Sequence, residues 1–183
     1  TLTAASTTET STTQTDATPA LTDTGDNMGD SQNSAGEFDV DPGMTPDNPL
    51  YFVKDTYQKI VVGNDPEKAL DYREQKIAEA KAMIEKGNEG AAEKSLDRAL
   101  QYGDIVEKEV NPESKDDVQQ RSEIVQNVIV DLREKANDEN VKEKFNQNLE
   151  KEKEINSAGE LVSKINELCQ ALAKIDPLQY ADS

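Results

Sequence analysis

Carboxylates are the one chemical resource this 183-residue chain holds in quantity: 38 Asp and Glu stand against 20 Lys and Arg, with no His and a single Cys. Without His, neither a Ser-His-Asp nor a Cys-His nucleophile can be assembled, and every His-containing metal site is excluded. One Cys rules out thiolate zinc, iron–sulfur clusters and haem attachment through a Cys pair. No Gly-x-Gly-x-x-Gly or Walker-type loop offers a cradle for phosphates. Carboxylate groups remain, for instance Glu107/Glu109, Asp116/Asp117 and Glu150/Glu152/Glu154. A hydrolase built on such groups needs two acids in one cleft, one of them held protonated by burial. These acids lie among Lys residues on faces expected to be solvated, so the chain reads as non-enzymatic, with no catalytic residue and no cofactor.

Two acidic runs in the first part of the chain carry calcium-loop composition: Asp23-Thr24-Gly25-Asp26 with Asp30, and Asp39-Val40-Asp41 with Gly43. A helix-loop-helix calcium site needs ligands at fixed positions around a central Gly and a closing bidentate Glu, which neither run supplies. They imply weak, unspecific binding of divalent cations and no assigned metal site. Cys169, inside an apolar helical stretch, reads as a buried small hydrophobe without an internal disulfide partner.

Charge is distributed unevenly. The first basic residue is Lys54, and nine acids precede it, half of the net charge of −18. Such a surface repels phosphate backbones, and no basic stripe with interleaved aromatics is present, so nucleic acid is not an expected partner. No apolar run is long enough to span a bilayer. The sequence opens at Thr1 without an initiator Met and reads as a processed start, its export signal removed. Residues 1–47 are dominated by Thr, Ser, Asp, Gly and Asn and hold too few large apolar side chains to offset the entropy of ordering them. Clusters such as Ser6-Thr7-Thr8 fit an O-glycosylated surface spacer.

From residue 48 the pattern becomes helical. Pro49 can open a first helix in which Val53, Tyr57, Ile60 and Val61 fall at helical spacing toward a core, with Tyr51 and Phe52 as core aromatics. Asp65-Pro66-Glu67 caps a second helix, with Leu70, Arg73, Ile77, Ala80 and Ile84 on one face and Gly87 at its end. Ala92, Leu96, Ala99 and Val106 mark a third, stopped at Asn111-Pro112. Ser114 starts a fourth, carrying Val118, Val125, Val128 and Leu132. A fifth, with Val141, Phe145 and Leu149, is otherwise so charged that it is expected on the outside with a narrow buried stripe. Ser157-Ala158-Gly159-Glu160 has capping-box spacing for a sixth. There Leu161, Ile165, Leu168, Leu172 and Ile175 repeat at four-then-three spacing, a heptad-like seam suited to self-association and ended by Asp176-Pro177. The fold predicted is all-α: an antiparallel bundle of five or six helices over residues 48–183, preceded by an extended Thr/Asp-rich segment over 1–47.

Pro46-Asp47-Asn48-Pro49-Leu50-Tyr51-Phe52-Val53-Lys54 resembles the opening of an uncharacterised helical family of exported or membrane-anchored archaeal and bacterial proteins, with its Pro-x-x-Pro-Leu-Tyr-x-x-Lys signature. Asp65-Pro66-Glu67-Lys68-Ala69, Arg73-Glu74, Ile77-Ala78-Glu79-Ala80 and Glu85-Lys86-Gly87-Asn88 continue the likeness, which extends to about Val110. The resemblance implies an all-helical extracytoplasmic module with no catalytic residues. The long Thr-rich leader departs from that pattern. Together these features point to an extracellular or cell-surface protein, structural or adhesive, whose partners are copies of itself or other surface components. The alternative class is an extracytoplasmic helical module that senses a ligand or cation.

Overall fold

A computed structural model of the chain describes residues 38–174, which belong to the unit Ala35–Ser183. Residues 1–37, Ile175 and the helix end read at Asp176-Pro177 lie outside the described residues. Five helices and no strand occur among those described: α1 (Tyr51–Val62), α2 (Pro66–Glu85), α3 (Glu89–Glu109), α4 (Lys115–Lys135) and α5 (Glu139–Lys174). The chain is all-α.

Local chemistry sets most of the boundaries. Asp65 accepts hydrogen bonds from the backbone N–H groups of Glu67 and Lys68 at 3.1 and 3.2 Å, and Pro66 occupies the first helical position, where its missing donor costs nothing. Gly87 closes α2 at φ 70, its N–H donating to the Ile84 carbonyl at 2.9 Å, a left-handed conformation that side chains disfavour. Asn88 then caps α3 through Ala91 N–H. Pro49 sits in a turn ahead of α1 and does not open the helix, because the Asn48 side chain accepts from Leu50 N–H and delays the first helical residue to Tyr51.

Helices α2 to α5 make the bundle. Packed pairs are α2 with α3, α4 with α5, α3 with α5, and α2 with α4. Two apolar clusters mark its ends. Ile77, Met83, Leu96, Ile129, Leu132 and Phe145 dominate one; Leu70, Tyr102, Val106, Val118 and Ile155 dominate the other. Following residue numbers between the clusters shows that each helix reverses the direction of the one before it. Consequently α2 and α4 run parallel, as do α3 and α5. Ion pairs reinforce two of the seams: Arg121 of α4 bonds Glu74 of α2 through two nitrogens at 2.8 and 2.7 Å, while Lys144 of α5 meets Asp97 of α3 at 2.8 Å and Lys151 of α5 meets Asp104 and Glu107 of α3 at 2.8 Å. The short loop before α5 is tied to the start of α3, where Glu89 accepts from the N–H groups of Asn137 and Asp138 at 2.8 and 2.6 Å. Residues ahead of α1 also pack on the body: Phe38 touches the first cluster, and Lys54 donates to the carbonyls of Pro42 and Met44.

Three expectations about elements are corrected. The fifth and sixth helices are one element of 36 residues, α5. Ser157 does not cap a new helix; its hydroxyl donates to the Lys153 carbonyl one turn back, at 2.8 Å, as Ser does inside a continuous helix. The charged stretch of α5 has the buried stripe expected of it, through Val141, Phe145, Asn148, Glu152, Ile155 and Gly159, but it is a full member of the bundle, packed against α3 and α4. Finally, α1 is turned over. Its buried residues are Asp55, Gln58 and Val62, whereas Phe52, Val53, Tyr57 and Ile60 face outward.

Candidate functional site

Glu152, one of the acids expected on a solvated face, is wholly buried where α2 to α5 converge. Its carboxylate pairs with the Arg73 guanidinium of α2 and accepts from the Ser122 hydroxyl of α4. Arg73 Nη2 also reaches the Asn148 carbonyl of α5 at 3.5 Å. Gly103 of α3 completes the layer: a Cβ there would stand 2.6 Å from Lys151 Cγ and 3.0 Å from Arg73 Nε, so a larger residue would have to displace Lys151 and press on the guanidinium. Burial draws the Arg73 guanidinium down to about 9, against the pull of Glu74 and Asp104. This polar layer lies between the two apolar clusters.

A second buried acid, Glu79, sits between α1, α2 and α3. Tyr51 Oη and Lys54 Nζ of α1 donate to it at 2.7 and 2.9 Å, Lys76 Nζ of α2 at 2.9 Å and Ser95 Oγ of α3 at 3.2 Å. Lys76 further donates to Tyr51 Oη at 2.8 Å and stacks 4.7 Å from the Tyr51 ring centroid, a cation–π contact. Burial lowers the Lys76 ammonium and raises the Tyr51 phenol, the latter with help from the Glu79 charge. Asp55 lies beside this group, 3.0 Å from Arg98 Nε. The Tyr and Lys of the sequence signature and the Glu of Ala78-Glu79-Ala80 thus meet at one point.

The Glu79 group accounts for the reversed α1. Several buried polar groups are at stake on that side, since Glu79 and Lys76 left without partners would each cost several kcal/mol, against about 1.5–3 kcal/mol for each fully exposed apolar side chain and less for the partly exposed ones on α1. Turning Tyr51, Lys54, Asp55 and Gln58 inward supplies Glu79, Lys76 and Gln75 with partners and leaves the apolar side of α1 outward.

Chemically, each buried acid is neutralised by its own cations and has no exposed surface. Two open depressions of about 400 and 350 Å³ are lined by other residues, the first by Glu107, Glu150, Lys153, Glu154, Ser157, Ala158 and Leu161, the second by residues 43–49 and Lys86. Among the described residues no group of acids or Cys is arranged to hold a metal ion, and no helix is long and apolar enough to cross a membrane. Asp39, Asp41 and Gly43 form a local turn in which Asp41 Oδ1 accepts from Gly43 N–H at 2.7 Å, while the Asp23 to Asp30 run lies outside the described residues.

The seam read from the sequence is placed differently from the buried acids. Leu161, Ile165, Leu168 and Leu172 are 50–61 % exposed. They share one side of α5, and from residue 160 onward that helix has no buried residue. The unburied stretch extends about 22 Å at about 1.5 Å per residue. Cys169, expected inside, is exposed on this arm, where no other described helix covers it. A second exposed apolar face is formed on α1 by Leu50, Phe52, Val53, Tyr57 and Ile60, correcting the expectation that Phe52 and Tyr57 are core aromatics. Sequence spacing alone could not reveal it, because an apolar stripe on a helix is ordinarily the inward one. Charged residues on inner stripes were the available signal: Arg73 keeps the Leu70–Ile77 register, and Glu152 falls midway between Asn148 and Ile155.

No family model matches the chain, and comparison with curated proteins and with solved structures likewise gives no match.

Proposed function

We propose that this chain is a non-enzymatic structural or adhesive component of the cell surface, a subunit that joins copies of itself through the arm of α5. One observation carries the proposal: Leu161, Ile165, Leu168 and Leu172 line the arm at 50–61 % exposure, where a solitary protein gains nothing from an apolar seam. The positions flanking that seam are Val162, Lys164, Cys169 and Ala171. With a single charge among four flanks, the arm is broadly apolar in a chain that is 32 % charged, so self-repulsion is weakest there. The acidic Thr/Ser-rich leader and the restricted catalytic inventory support an exported, non-catalytic role. Ile175 would extend the seam by one further position.

Sedimentation of the full chain over a wide concentration range tests this. The expected result is a mass that rises with concentration for the natural sequence and stays monomeric for Leu168→Lys. A natural chain that remains monomeric at the highest concentration reached would overturn the proposal.

A further inference from the structure

We infer that the outward face of α1 is the seat for the α5 arm of a second copy, so that copies join head to tail; this rests on the arm being an association element. The two faces are the two runs of exposed large apolar side chains in the described body, and both lack cover among the described residues. Their lengths agree: Leu50 to Ile60 spans about 15 Å and Leu161 to Leu172 about 16 Å of helix. Along α1 the outward half holds Phe52, Val53, Thr56, Tyr57 and Ile60 without a charge, and Lys59 stands at its border, 3.4 Å from Asp55. The flanks of the arm, Val162, Lys164, Cys169 and Ala171, are likewise nearly free of charge, so both faces are apolar up to their borders.

This pairing covers both faces, which arm against arm does not. Nine side chains at half exposure or more offer roughly 900 Å², which with their flanks approaches the roughly 1,200 Å² that specific interfaces begin to bury. Arm against arm would draw on four residues from each copy and leave Phe52 at 67 % and Ile60 at 75 % exposed in water. A joint between two different faces leaves a free seat at one end and a free arm at the other. Growth then continues into open chains or closes into rings, as heterologous contacts do.

Two variants of the full chain decide the matter, Leu168→Lys on the arm and Ile60→Lys on α1, with natural helical content and a cooperative thermal melt serving as the check that both remain folded. Head-to-tail joining makes each variant monomeric alone, while an equimolar mixture forms a pair of twice the mass that grows no further, since only one intact seat and one intact arm remain to meet. If Ile60→Lys still associates and Leu168→Lys does not, arms pair with arms, and the present inference fails while the association role stands. If Leu168→Lys still associates and Ile60→Lys does not, α1 faces pair with each other, which overturns the seat and the arm together. A mixture that stays monomeric also overturns the inference. A natural sequence that never associates removes both readings.

Discussion

Glu152 and Arg73 hold each other's charge in the middle of the bundle, so removing either leaves its partner buried and unpaired. Glu152→Met, Arg73→Met and the double variant Arg73→Met/Glu152→Met, followed by urea unfolding, should resolve a coupled pair: each single change destabilises by roughly 3–5 kcal/mol, and the double change recovers most of that loss. Single losses that simply add in the double variant would show that the two side chains act independently. At this scale the sequence was partly legible. Arg73 already sits on the apolar stripe of α2, and a charged residue in such a register announces a buried partner. The partner was harder to find, because Glu150, Glu152 and Glu154 are equivalent in composition, and only the stripe through Phe145, Asn148 and Ile155 selects the middle one. Glu79 was hidden for a different reason: its partners come from three helices, which no local spacing encodes.

At the level of elements, capping chemistry was the most legible feature because it acts between residues a few positions apart. The Lys68 side chain and the backbone N–H of Lys68 hold the Asp65 carboxyl below its ordinary value of 3.8. Asp65 therefore binds its proton less tightly in the folded chain than in the unfolded one. Its contribution is complete above the unfolded value and disappears as pH falls through the lower folded value. Asp65→Ala should lower stability by about 1 kcal/mol near neutral pH, and thermal melts across the acid range should show that difference shrinking toward zero. A difference unchanged down to strongly acid pH would mean that the carboxylate is not the capping group. The break between the fifth and sixth helices was misread because Ser157 and Glu160 have cap spacing, yet no Pro or left-handed Gly interrupts the chain there. Gly159 instead packs against the Gln119 side chain of α4, with an added Cβ placed 3.3 Å from its Cγ. The orientation of α1 was not legible at all, since it depends on Glu79 and Lys76 contributed by α2.

For the whole molecule, a net charge of −18 sets the response to salt. Surface ion pairs such as Lys135 with Asp131 contribute about 0–1 kcal/mol each and weaken on screening, whereas the summed repulsion of the acids weakens too, with the opposite effect on stability. The excess of acids decides the sign: thermal midpoints should rise from low to physiological ionic strength, where charges interact over only about 8 Å. A midpoint that falls with added salt would show that the ion pairs prevail. The fold class was readable at this scale from helical periodicity and the absence of alternation, while the pairing order of the helices was not, since the loop between α3 and α4 carries the chain across the bundle. That arrangement leaves the layer of Arg73, Gly103, Ser122, Asn148 and Glu152 as a seam between two apolar halves. Deuterium uptake should accordingly divide the body into two protected blocks, each opening as its own cooperative unit, with the boundary in every helix set by the residue it gives to that layer.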